Sequence, residues 1–492
     1  MRTENSIQEP LKGTVEYETV IGLEVHCQLF TESKIFTSDV NQFGSEPNTN
    51  IGRLTLALPG TLPKLNRKVI EYGVKFGLAC GSTISRTTIF DRKNYFYPDL
   101  PKGYQITQDK APICIGGSVK ITLRNGEEKI IRLHHAHLEE DAGKSVHDGS
   151  HTDTLLDYNR AGTPLIEIVS EPDLRSAEET GAYLTELRRI VRYLGISDGN
   201  MEEGSLRADV NISLRPKGQE AFGTRVEIKN MNSIRYIMKA IEYEQKRQAK
   251  MLDEGEEILQ ETRMYDAEKD RTYGMREKET LNDYRYFPDP DLSPVVISDE
   301  WLNAIKSEMP ALPWEVKEKL MTTYGLPAYD AGVLSDEKEQ AAYFESACTY
   351  TTHYKAVSNW IMGSIRSTLN ESGRSISDFP ISPERLAQLV DLIESGVINN
   401  TIATQKLYPA LLASPEEHPE KLAQANNWIQ NSNTEELESL IDQVLAGMPD
   451  KVDTYKKGKK GLLALFVGQV MKRTGGTADP KLVNEILIKK LN

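Results

Sequence analysis

The stretch Val20–Phe30 reads VIGLEVHCQLF, and its alternation decides the fold class. Ile21, Leu23, Val25, Cys27 and Leu29 fall on one side of an extended chain, and Gly22, Glu24, His26 and Gln28 on the other. Strict period two of this kind describes a half-buried antiparallel strand with one wet face. Leu206–Leu214 repeats it, with Leu206, Ala208, Val210, Ile212 and Leu214 against Arg207, Asp209, Asn211 and Ser213. In Thr224–Asn230, Val226 and Ile228 oppose Arg225, Glu227 and Lys229. The pattern predicts a sheet with one face packed on helices and the other lined with acids, amides and bases.

Helices punctuate the sheet region. Asn232 or Ser233 can cap a helix with the stripe Ile234, Ile237, Met238 and Ile241, closed by Gly255. A second helix is expected from about Ser176 to Tyr193. The Pro-rich passage Phe287–Pro294 ends the alternation, and period 3.6 dominates beyond it. Ser382-Pro383 opens a helix with the stripe Leu386, Leu389, Val390 and Ile393, ended by Gly396. Thr434 opens another, carrying Leu437, Leu440, Ile441 and Val444. The fold class is therefore α+β: an N-terminal, mainly antiparallel sheet with packed helices, then all-α regions. The expected division is a flexible tail over 1–16, a sheet domain over 17–300, a helical domain over 301–415 and a basic tail domain over 416–492. A length of 492 residues, at roughly 150 per domain, agrees with about three domains.

Composition excludes several classes. Hydrophobic residues are 39% and charged residues 27%, enough for a sizeable core and too little bias for disorder. The net charge of −14 rules out nucleic-acid binding through the overall field, so any RNA contact needs a local basic patch. The segment from Lys451 onward supplies one at net +7, against −21 for the rest. Cys27, Cys80, Cys114 and Cys348 form no CxxC pair, which disfavours a zinc site or disulfide framework and fits a reducing cytosol. Met1–Gly13 has no apolar core of a secretory signal. The longest apolar run, Leu462–Val467, is far short of the ~20 residues that cross a bilayer. A cytoplasmic protein without a membrane partner is expected.

Five of the eight histidines lie between 134 and 151. In Arg132–His147, RLHHAHLEEDAGKSVH, an extended chain places His135, His137, Glu139 and Asp141 on one face. Glu24 and His26 likewise share a face. Glu167 interrupts the apolar run LIEIV, where a carboxylate is costly unless paired or bound to a cation. Glu24, His26, Glu139 and Glu167 can converge on a divalent metal; alternatively each sits in its own salt bridge. Carboxylate oxygens suit Mg²⁺ or Mn²⁺, and the imidazole tilts toward a transition metal. Ala142–Ser145 (AGKS) ends like a phosphate-binding loop, but Leu138 stands where that motif needs its first glycine. Asp91–Pro101 (DRKNYFYPDLP) and Asp283–Pro288 (DYRYFP) mix aromatics with Arg, Lys and Pro. Each is either a stacking platform for a base or a rigid packed loop. Lys456, Lys457, Lys459, Lys460, Lys472 and Arg473 surround an apolar helix, as a phosphate-backbone contact or a solvated face. No GxSxG, HExxH or strand-linked GxGxxG is present, and no nucleophile stands out.

Seven blocks carry a resemblance: Val20–His26, Leu58–Gly60, Phe90–Asp99, His137–Lys144, Asn159–Asp173 (NRAGTPLIEIVSEPD), Met201–Arg207 and Asp283–Pro288. In order, and from about residue 17 to the end, the chain resembles the B subunits of the aspartyl/glutamyl-tRNA(Asn/Gln) amidotransferases. Its C-terminal part is similar to a tail domain that this family shares with a small stand-alone protein. The lack of a large insertion before the helical region separates it from the archaeal relative specific for tRNA(Gln).

The resemblance implies a ligase that forms carbon–nitrogen bonds with glutamine as amide donor. ATP and Mg²⁺ (or Mn²⁺) would activate the side-chain carboxylate of Glu-tRNA(Gln) or Asp-tRNA(Asn) as an acyl phosphate, and ammonia would displace phosphate. The implied assembly is a heterotrimer with an amidase-type glutaminase and a small third protein that straps the other two together. The misacylated tRNA and a non-discriminating synthetase are the further implied partners. The resemblance implies Glu24, His26, Glu139 and Glu167 as catalytic metal-site residues, and Lys93 and Glu140 as charged positions along the ammonia route. The sheet domain becomes the cradle of the kinase site, and the helical and tail domains contact tRNA. Two other classes remain: a non-catalytic tRNA-binding scaffold, and a free-standing ATP-dependent carboxylate–amine ligase. His134 and His135 belong to no motif.

Overall fold

The computed structural model describes residues 15–146, 153–275, 284–430 and 434–491. Residues 1–14 of the expected tail, His147, His151 and Asp283 lie outside them. Two compact units divide the chain, Met1–Leu312 and Pro313–Asn492.

The elements that place the site all belong to the first unit. In chain order they are β1 (Tyr17–Gln28), α1 (Arg67–Ala79), β2 (Asp91–Asn94), β3 (Tyr104–Thr107), β4 (Glu128–Glu140), β5 (Pro164–Ser170), α2 (Ala177–Tyr193), β6 (Leu206–Pro216), β7 (Val226–Lys229), α3 (Ile234–Asp253), β8 (Thr262–Asp266), β9 (Arg271–Gly274) and β10 (Phe287–Pro288). The main sheet runs β9-β8-β7-β6-β1-β5-β4, continued by the short strands Cys114–Ile115 and Thr83–Ile84. Its pairings are antiparallel except β7 with β8. A separate three-stranded sheet has the order β10-β2-β3.

The alternation read in Val20–Phe30 becomes the two faces of this sheet. Ile21, Leu23, Val25 and Cys27 join Ile166, Ile168, Ala208, Val210 and Ile212 in one hydrophobic cluster, which also takes in Val74 of α1, Leu184 of α2 and Ile237 of α3. Both longer helices start at the expected serine. Ser176 Oγ accepts from Glu179 N at 3.1 Å, and Ser233 Oγ from Tyr236 N at 3.2 Å. The end of α3 follows from Gly255 at φ +77°, a conformation that lets Glu256 N reach Met251 O at 2.8 Å.

The second unit is helical. Ser382 caps Pro383–Glu394, its Oγ accepting from Arg385 N at 3.3 Å, and Gly396 follows at φ +74°. Buried side chains of this unit form two clusters, one from Leu320 to Ala423 and one from Leu437 to Leu491. Among the described residues no helix is long and apolar enough to cross a membrane.

Candidate active site

Register assembles the site. On β1, His26 stands opposite Arg207 of β6 and Glu167 of β5, and Glu167 stands opposite His137 of β4. Directly opposed residues share a face, so Arg207, His26, Glu167 and His137 form one row across four strands. The neighbouring row holds Asp209, Glu24, Val169 and His135. The row on the other side holds Gln28, Leu165 and Glu139. All of them occupy the face opposite the hydrophobic cluster.

His26 Nε2 lies 3.2 Å from Glu167 Oε2 and 3.8 Å from Glu139 Oε1. His137 Nε2 lies 3.4 Å from Glu167 Oε2 and 3.6 Å from Glu139 Oε2. Two acids are therefore held between two imidazoles. Burial works against a charge on His26, but the hydrogen bond and charge of Glu167, with the charge of Glu139, outweigh it and raise the imidazole to about 9. Burial and the charge of His26 oppose a proton on His137 too, but its hydrogen bond to Glu139 and the charges of Glu167 and Glu139 move it upward. Burial opposes ionisation of Glu167 too, yet the imidazoles hold it well below the usual carboxylate range. An unpaired ion in such a place costs several kcal/mol. The pairing is what makes Glu167 tolerable in an otherwise apolar run.

Donor atoms of His26, Glu139 and Glu167 lie within 4.8 Å of one another, the spacing of ligands around one metal ion. Two carboxylates with one imidazole fit Mg²⁺ or Mn²⁺. A protonated His26 offsets one of the two acid charges, and a divalent cation bound at the same atoms would compete with that proton. Glu24 stands outside this group of three. Its Oε1 accepts from Asn211 Nδ2 at 3.0 Å, and burial together with the charge of Glu167 raises its pKa. His137 takes its place beside the acids. The sequence put His137 on the right strand face, and its position opposite Glu167 needed the register. His134 and His135 continue away from it: His135 Nε2 is 3.1 Å from His137 Nδ1, and the Nδ1 atoms of His134 and His135 are 2.6 Å apart. Burial and the neighbouring imidazoles push His135 down to about 4.

Asp141 extends the polar face. Buried, it accepts from Arg207 at 2.9 Å and Gln28 at 3.1 Å, and Arg160 lies 3.6 Å away. Burial opposes its charge, and the two guanidiniums override that and lower its pKa. Arg160 also donates to the carbonyls of Ala142 and Gly143. Gly143 N donates to Asp99 O at 2.8 Å, so the AGKS amide is spent on a loop contact and not on a phosphate cradle.

Lys93 and Glu140 have different neighbours. Lys93 Nζ lies 4.9 Å from the Tyr284 ring centroid, and its charge reaches Glu167. Glu140 is buried and ion-paired with Lys102, a cation that no sequence motif marks, and also accepts from Ile106 N at 2.9 Å. Lys102, Glu140, Phe36, Leu54, Leu100 and Gly162 border a cavity of about 20 Å³, enough for about one water molecule. In the second unit, Lys456, Lys457, Lys459, Lys460, Lys472 and Arg473 are all exposed, with Lys460 Nζ 4.3 Å from the Tyr455 ring.

Comparison with known proteins bears on the whole chain. Residues 19–303 match the family model described as the GatB/GatE catalytic domain, and residues 342–491 match one described as the GatB domain. The chain is 52% identical over 477 residues to a protein of Chlorobium luteolum named as the B subunit of aspartyl/glutamyl-tRNA(Asn/Gln) amidotransferase, covering 97% of this chain and all of the relative. Proteins of the same name from Alkalilimnicola ehrlichii and Gloeothece citriformis are 49% and 51% identical, each over 97% of this chain and over 100% and 98% of the relative.

Proposed function

The chain belongs to the GatB family of tRNA amidotransferase B subunits, and from that premise we propose that its row of Arg207, His26, Glu167 and His137 is where the carboxylate of a misacylated tRNA is activated. The substrates are Glu-tRNA(Gln), Asp-tRNA(Asn) or both, with ATP and glutamine. The partners are the amidase-type glutaminase, the small third protein of the heterotrimer and the synthetase that misacylates the tRNA, and the compartment is the cytoplasm. The observation that carries this reading is the pair of carboxylates, buried Glu139 and half-buried Glu167, held between His26 and His137.

A carboxylate is a poor electrophile. Attack by its oxygen on the γ-phosphorus of ATP breaks the bond to ADP and gives an acyl phosphate. Ammonia then adds at the acyl carbon, loses a proton, and phosphate departs. Phosphoryl transfer depends on position and charge neutralisation, which explains why no protein nucleophile is needed. His26, Glu139 and Glu167 would hold Mg²⁺ or Mn²⁺, with Glu24 one pleat further along β1, and the ion would supply charge neutralisation for the phosphates. His137 fixes the two acids from the far side. Lys93, whose charge reaches Glu167, and Glu140, paired with Lys102 beside its small cavity, belong to the route by which ammonia arrives.

The exposed tail cations contact the tRNA backbone. The proposed division of labour is the cradle over 17–300, a helical domain over 301–415 and the tail domain over 416–492. The test is tRNA-dependent ADP release by the heterotrimeric complex, with glutamine and either Mg²⁺ or excess chelator. ADP release that needs both the aminoacyl-tRNA and the metal supports the reading. ADP release indifferent to chelator overturns the metal assignment.

A further inference from the structure

Two aromatic passages almost two hundred residues apart meet on one small sheet. Phe287 and Pro288 pair with Arg92 and Asp91, and Asn94 N donates to Tyr284 O at 2.9 Å while Asn94 Nδ2 donates to Arg285 O at 2.9 Å. The outcome is a row of four tyrosines, Tyr97, Tyr95, Tyr284 and Tyr286, whose successive ring centroids are 6.0, 6.0 and 6.1 Å apart. Successive planes are turned by 67°, 72° and 73°. Tyr97 is 64% exposed and Tyr286 37%. Rings serving only as packed volume would be covered.

Between Tyr284 and Tyr286 the backbone is strained. Arg285 has φ +44°, a conformation that costs a non-glycine residue on the order of 1–3 kcal/mol. The bonds from Asn94 hold the carbonyls on either side of that φ angle. Strain of this kind, beside an acid cluster and on an exposed aromatic edge, points to a function for the ring positions.

The row adjoins the acids. Lys93 Nζ lies 5.9 Å from the Tyr95 centroid and 4.9 Å from that of Tyr284, while its charge acts on Glu167. The hydroxyls of Tyr95 and Tyr286 both feel the charge of Glu139, and that of Tyr286 also feels Glu167. We propose that this tyrosine row is the platform on which the 3′-terminal adenosine of the aminoacyl-tRNA stacks, with Tyr286 taking the base. The inference rests on the functional reading above.

Reach favours this purine over the adenine of ATP. From the side-chain carboxyl carbon to the ester oxygen of an aspartyl or glutamyl group there are four or five bonds of about 1.5 Å each. The terminal ribose and its base must therefore lie close to wherever the carboxyl group is activated. The adenine of ATP is held away from the same point by a triphosphate and a ribose. Stacking also suits the task, since every tRNA ends in the same nucleoside and no base edge has to be read.

The test uses the full heterotrimeric complex and a short acceptor-stem RNA ending either in adenosine or in an abasic nucleotide. Wild type is expected to bind the adenosine-ended stem about tenfold more tightly, in the range for one stacked base. Tyr286→Leu and Tyr284→Leu should each shrink that ratio toward one. Tyr286→Phe, which keeps the ring, should preserve it, and the KM for ATP should stay within about twofold throughout. A wild-type ratio near one, or a ratio that survives both Leu variants, overturns the proposal. A rise in KM for ATP with an unchanged ratio overturns it too, and puts the adenine of ATP on the row instead. Adenosine-dependent binding by a wild-type complex that amidates no tRNA would sink the functional reading and leave this one standing.

Discussion

His26 and Glu167 face each other across two antiparallel strands, with Nε2 and Oε2 3.2 Å apart. Each alone would be an expensive charge in a packed sheet. Together they are an ion pair.

That relation fixes a pH dependence. His26 goes from an ordinary 6.5 to about 9 on folding, so its contribution to stability is complete below pH 6.5 and disappears as pH rises through about 9. Glu167 is shifted downward from 4.5, so its contribution is present above that value and lost as pH falls. In chelator, the melting temperature of the first unit should rise toward pH 6.5, because His135 is pushed down to about 4 on folding, and then fall by several degrees toward pH 9 as His26 loses its proton. Divalent-cation affinity should run the other way, tightening by up to about tenfold per pH unit between 6.5 and 9 as one proton is displaced. Thermal scans and Mn²⁺ titrations across this range check both trends; a melting temperature that climbs between pH 6.5 and 9 in chelator contradicts them.

Asp141 should matter for stability before chemistry. Asp141→Asn leaves the Arg207 and Arg160 guanidiniums without their shared carboxylate. Loss of a fully buried partner costs about 3–5 kcal/mol. With both arginines about one-third exposed, a loss of about 2 kcal/mol in chemical denaturation is expected. An unchanged unfolding midpoint would show that this cluster does not contribute to stability.

Glu140 separates ammonia delivery from carboxylate activation. Glu140→Gln should lower glutamine-dependent amidation at least tenfold, while amidation fed by ammonium chloride and tRNA-dependent ADP release stay within about twofold. Equal loss with both nitrogen sources would place Glu140 at the reacting carboxylate instead.

The tail cations should act through salt-sensitive contacts. Replacing Lys456, Lys457, Lys459 and Lys460 by Ala should weaken tRNA binding and flatten its dependence on salt. Each phosphate contact removed takes about 0.7–0.9 off the slope of log affinity against log salt. Glutaminase activity should not change. An unchanged slope would make these lysines a solvated face.

Much of the fold is legible in the chain. Val20–Phe30 and Leu206–Leu214 show their two faces because period two survives in the folded sheet over Ile21–Leu29 and Leu206–Ile212, and fails only at Val20 and Ser213, which are buried as well. Ser176, Ser233 and Ser382 mark helix starts because a cap is a local device. His137 is harder, since only the pairing Glu167↔His137 brings it to the acids, and register between strands thirty residues apart is not written in either strand. Glu24 shows the converse. It shares the strand face of His26, yet one pleat carries it away from the group of three and toward Asn211. Lys102 and the tyrosine row are hidden for the same reason. Their partners, Glu140 for the lysine and Tyr284 for Tyr95, come from distant segments that meet only in three dimensions.

We propose above all that Glu167 belongs to the carboxylate-activating site. The measurement that tests it compares wild type with Glu167→Gln in the reconstituted complex, supplied with Glu-tRNA(Gln), ATP, Mg²⁺ and glutamine. ADP release and Gln-tRNA formation are followed separately from glutaminase activity and tRNA binding. Both should fall by at least a hundredfold while tRNA still binds. Persistent tRNA-dependent ADP release in the variant would contradict it and move the activation site elsewhere on the chain.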